Sequence, residues 1–203
     1  MTSSAVATTD RSEFRNVLAS GTLVGAVTGV SVVAFIAISR IVPTGLSRDV
    51  LESVLVLAAG VAVSLLPGLR AVARTAEGIA GAAAIGLWGT VVFMAIDIVL
   101  LRPFKAYPWT WDAIGGGSSW WYLPIWWMLG TFLAWMGGML TAARSARAEF
   151  SLPQLAMPVV VGSVVVTVAS KLLGCPAPLP AQAGAAYTVT LAALALFANA
   201  RKG

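Results

Sequence analysis

Six stretches of this sequence are long, apolar and nearly free of charge, and that repetition constrains the fold more than any other feature. Residues 18–42 contain one charged side chain, Arg40, and residues 113–143 contain none. An α-helix rises about 1.5 Å per residue, so about 20 apolar residues cross a hydrocarbon core about 30 Å thick. Inside that core the backbone has no water to bond, and a helix satisfies its own N–H and C=O groups. The chain is therefore predicted to be an all-α, polytopic integral membrane protein, a bundle of about six transmembrane helices. Composition agrees: 59% of residues are hydrophobic and 10% charged, with mean hydropathy +0.88, far from the balance of a soluble domain.

Residues 1–17 read as a polar N-terminal tail and 18–200 as a single transmembrane domain. Asp10 and Glu13 interrupt the charged segment before the first apolar run, so a permanent anchor is expected there rather than a cleaved signal peptide. Helix 1 is predicted over 18–42, where Gly21, Gly25 and Gly29 recur every fourth residue and form a groove for a neighbouring backbone. Helix 2 is predicted over 48–66, with Ser47 as its cap and Pro67-Gly68 as its stop. Residues 69–79 place Leu69, Val72, Ala76 and Ile79 on one face and Arg70, Arg74 and Glu77 elsewhere, the pattern of a short interfacial helix between helices 2 and 3. Helix 3 follows over 80–101 and helix 4 over 120–142. Helix 5 covers 152–173 with a bend at Pro158, and helix 6 covers 182–199 after a proline-rich turn that holds Cys175.

Helix 4 has two characters. At 100° per residue Gly130, Ala134 and Gly138 share a face with Trp127, suited to close packing, while Trp121, Met128, Phe132 and Trp135 lie mostly opposite, toward lipid or a partner. The segment 102–138 holds seven of the eight tryptophans, and its loop, 102–119, adds Pro103, Pro108 and the triplet Gly115-Gly116-Gly117. Indoles concentrate where hydrocarbon meets headgroup or where a partner covers them. Trp109, Trp111, Trp120, Trp121 and Trp127 are thus candidate docking residues, and a lipid headgroup or a quinone could stack among the first four. The triplet is no phosphate loop, because no GK[ST] follows it.

The net charge of +5 is spread in pairs between apolar runs, which describes membrane topology and leaves no nucleic-acid patch. With six spans, eight Lys and Arg residues fall on the side of both termini and five on the other, predicting cytoplasmic termini in a bacterial inner membrane. Asp97 is the most deeply placed acid. An intramembrane acid is costly and is a functional candidate unless paired. Arg102, on the same helix, and Lys171, near the end of helix 5, are its candidate partners, and Glu52 a possible fourth member.

Histidine is absent and cysteine occurs once, so no metal, haem or cluster is expected on the chain's own side chains. Ser118, Ser119 and Ser163 have no histidine base, which argues against a catalytic triad. These features predict a non-catalytic accessory or scaffold subunit of a larger membrane complex of respiratory, photosynthetic or secretion type, docking other subunits and lipids. A small transporter or channel using Asp97 and Lys171 is the alternative, and a lipid-modifying enzyme a third.

Overall fold

The computed structural model describes residues 13–103, 122–145 and 151–200. They form six long helices: α1 (Phe14–Ile41), α2 (Leu46–Arg70), α3 (Ala76–Ile96, continued by a π-helical turn Asp97–Leu101), α4 (Tyr122–Ser145), α5 (Leu152–Leu172) and α6 (Leu179–Ala200). All six are long and apolar enough to cross a membrane, and no strand occurs among the described residues. The protein is an all-helical, six-span membrane bundle.

Five of the helices close a ring in the order α1, α3, α4, α6, α2, and α5 packs outside it, chiefly on α6. Small residues decide who touches whom. Gly21 of α1 faces the Ile85 carbonyl and Trp88 of α3, Gly25 faces the Gly89 carbonyl and Val92, and Gly29 faces Ile96. On the other side of α3, Gly86 meets Gly130 and Ala134 of α4, and Ala82 meets Gly138. The two grooves therefore both close on α3 and do not meet each other. α3 is the hub because its own glycines, Gly86 and Gly89, lie on two faces and let a helix approach on each.

At one end α2 leans across the ring onto α4. A Cβ on Gly137 would overlap the Ser64 carbonyl, and one on Gly68 would lie 3.1 Å from the Gly138 backbone. Leu65, Leu140, Leu155, Val159 and Leu191 belong to one buried cluster near this crossing.

The predicted interfacial helix over 69–79 does not exist as a separate element. α2 continues through Pro67 to Arg70, and α3 already begins at Ala76, capped by Thr75, whose side chain accepts the Gly78 N–H. Between them Val72 takes a left-handed conformation with φ 52°. The Val72 N–H bonds the Leu69 carbonyl and the Ala73 N–H bonds the Gly68 carbonyl, the hydrogen-bond pattern of a Schellman helix end. Ala71 and Ala73 are fully buried in this turn. Burial overrides the amphipathic pattern: methyl groups at 71 and 73 sit where only a tight reversal fits. Gly68, read as a stop, is instead a contact glycine inside α2.

Other boundaries shift by about a turn. α1 opens at Phe14, inside the expected tail, and α6 opens at Leu179 because Gln182 ties down the turn before it. Its side-chain amide donates to the carbonyls of Cys175 and Ala177 while its oxygen accepts from Ser170. α5 begins as expected at Leu152, with the Ser151 N–H bonded to the Gln154 side chain.

Candidate functional site

Two regions carry chemistry: the interior of the ring and the outward face of α4. The interior holds a partly open cavity of about 530 Å³ bounded by α1, α2, α3, α4 and α6. Its walls include small residues where helices touch (Gly86, Gly89, Gly130) and others on the facing side (Ala59, Gly60, Gly184), so glycine and alanine replace bulk over much of the lining. Phe93 and Trp126 bound one end in an edge-on ring contact with centroids 6.1 Å apart. Tyr187 lines another wall and is itself 2% exposed.

The hydroxyls of this lining are committed. Thr28, Thr90 and Thr188 each donate to the carbonyl four residues back. Ser64 donates to the Gly60 carbonyl, so in its 2.7 Å contact with the Tyr187 hydroxyl the tyrosine is the donor. A serine on α2 thus closes the one polar wall of an otherwise apolar space.

One helical turn beyond Phe93 lies Asp97, 3% exposed, at the start of the π-helical turn. Its Oδ2 accepts a 3.0 Å hydrogen bond from Arg102 Nε, and the Arg102 N–H bonds the Asp97 carbonyl. An i to i+5 step brings the guanidinium back over the carboxylate, which an α-helical step of five residues would swing to another side. Oδ1 of Asp97 accepts no hydrogen bond among the described residues. Lys171 is not part of this pair: it stands exposed on α5, outside the ring. Glu52 is also elsewhere, held by Arg48 at 2.8 Å and by the Ser39 hydroxyl of α1 at 2.7 Å. The acids and bases proposed to share one path are divided among separate local contacts.

On α4 the packing stripe of Gly130, Ala134 and Gly138 continues four residues back to Trp126, which turns inward; Trp127 is 40% exposed. The opposite face presents Ile125, Met128 and Trp135, exposed, with Phe132 and Met139 half-buried between and beyond them. Trp109, Trp111, Trp120 and Trp121 lie outside the described residues. Among the described residues no group of three or more His, Cys, Asp or Glu side chains is placed to hold a metal ion.

The cavity, the Ser64 and Tyr187 pair and the role of Gln182 escaped sequence reading. Only the i to i+4 repetition of small residues on α1 and α4 hinted at close packing, and it does not say that a fifth helix stands back from the middle. Comparison with protein-family models, with curated proteins and with solved structures finds no match to this chain.

Proposed function

We propose that the chain is a non-catalytic accessory or scaffold subunit of a larger membrane assembly, oriented in a bacterial inner membrane with its N-terminal end in the cytoplasm. The observation that carries this reading is Trp135. It is 48% exposed and stands about 20 Å from one end of α4 and about 15 Å from the other, at the depth of the hydrocarbon core. Belt tryptophans sit at the two interfaces, where the indole N–H finds water or headgroups. At mid-depth that donor faces lipid tails unless another protein supplies an acceptor.

The neighbours of Trp135 support a helical partner. Ile125, Met128 and Trp135 stand exposed at steps of three and seven, on one side of the helix, while Phe132 and Met139 pack against the protein's own core. The outer segment with Trp109, Trp111, Trp120 and Trp121 would extend the same contact beyond the membrane. Large rigid rings dominate such interfaces because they bury much area with little entropy lost. Orientation rests on the excess of Lys and Arg at the end that holds the start of α1 and the end of α6.

The test is co-purification in mild detergent from native membranes. Trp135→Leu should release a partner chain, while Trp135→Phe should retain part of it and both variants should stay folded. Undiminished stoichiometry of every accompanying chain in Trp135→Leu would overturn the reading. So would a wild-type protein that runs as a monomer, or as a homodimer alone.

A further inference from the structure

We infer that the cavity inside the five-helix ring is a binding site for an aliphatic lipid chain, acyl or isoprenoid. This does not depend on the role proposed for α4. The volume, about 530 Å³, lies within the range of about 300–1,000 Å³ in which proteins hold small ligands. Its walls run from Trp126 to Leu133 along α4 and from Val56 to Val63 along α2, a height of about 10 Å at mid-bundle. A chain entering there is already at the depth where lipid tails lie.

The chemistry of the walls selects hydrocarbon over a polar or ring-carbonyl guest. Every lining hydroxyl already spends its proton: Thr28, Thr90 and Thr188 on their own helices, and Tyr187 on Ser64. A quinone or amide carbonyl placed among these hydroxyls would lose its solvation and gain no proton from any of them, a penalty that a methylene chain does not incur. A chain also restores the dispersion contacts that facing glycines and alanines cannot make with one another across the space. Ser64 strengthens the argument: it turns the one buried phenol away from any guest.

The experiment is native mass spectrometry of the full chain released from mild detergent, followed by extraction and identification of the bound molecule. Wild-type protein should carry about one lipid per chain, and the extracted head group will show whether the chain comes from a phospholipid or from an isoprenoid. Ala185→Phe on α6 and Ala59→Leu on α2 each add bulk to the walls and should reduce the lipid-bound fraction at least tenfold, with the thermal midpoint equal to or above that of the wild type. A wild type that carries no lipid overturns the proposal, as does equal occupancy in folded variants, or a bound ring compound instead of a chain. A palmitate analogue bearing a diazirine tests the same claim without substitutions. Photolysis should label Leu129 or Leu133; labelling confined to outward residues such as Met128 and Val164 would sink it.

Discussion

Asp97 and Arg102 show how a charged residue survives inside a span. The carboxylate lies buried, its partner is five residues on, and the π-helical turn between them supplies the register. Removing one partner leaves the other desolvated, whereas removing both leaves mainly a packing change. Asp97→Asn should therefore lower stability by about 2 kcal/mol, and adding Arg102→Met should recover part of that loss. Thermal unfolding in detergent of the two single variants and the double reads the coupling, and additive losses would show that the pair contributes nothing. Val72 is the opposite case, a β-branched side chain at φ 52°. Left-handed backbone costs such a residue about 1–2 kcal/mol, which glycine avoids while giving back about 0.5–1 kcal/mol in chain entropy. Val72→Gly should leave the midpoint unchanged or raise it, and a clear fall would mean that its half-buried side chain matters more than its backbone. The sequence showed Asp97 as costly and Arg102 as near; it could not show Val72, because a Schellman end is normally announced by glycine.

At the scale of the helix, α3 organises the bundle through the side chains it lacks. A Cβ on Gly86 would fall on the Ala134 methyl group and lie 2.8 Å from the Gly130 carbonyl. In lipid the helices have no water to expel, so close packing is what holds them together. Gly86→Leu and Gly25→Leu should each cost about 3 kcal/mol or prevent accumulation of folded protein. Gly184→Ala, whose Cβ would meet Val56 at an ordinary 3.4 Å, should change the midpoint little. Equal behaviour of the three variants would remove α3 from the centre. Gln182 fixes a different element, the turn from Cys175 into α6. Gln182→Leu leaves the Cys175 and Ala177 carbonyls short of the donor they share, while the Ser170 hydroxyl keeps its bond to the Thr167 carbonyl, and should cost about 1–3 kcal/mol. Spans were legible because length and hydropathy are local signals, and so was the start of α5 at Ser151; Ser47, read as the cap of helix 2, instead lies inside α2, whose N-cap is Gly45. The continuation of α2 through Pro67 was not, since its last turn is held by burial against α4.

For the whole molecule, the ring places Cys175 at the same end as the α1 to α2 turn, opposite the start of α1. A membrane-impermeant maleimide should then label Cys175 from outside intact spheroplasts, slowly because the thiol is half-buried. Labelling only after lysis would invert the proposed orientation. By itself the sequence determined that the chain crosses a membrane as helices, and how many times. Hydrocarbon admits no unsatisfied backbone, so apolar length alone decides a span. It also determined that Gly21, Gly25 and Gly29, and Gly130, Ala134 and Gly138, would each admit a close neighbour, because a missing side chain is visible in one dimension. Only the tertiary structure decided that α3 is that neighbour for both stripes, that Lys171 stands outside the ring away from Asp97, and that facing small residues leave a cavity between them. Each of these depends on which helices stand side by side, and between apolar helices in lipid that choice comes from the fit of surfaces far apart in the chain.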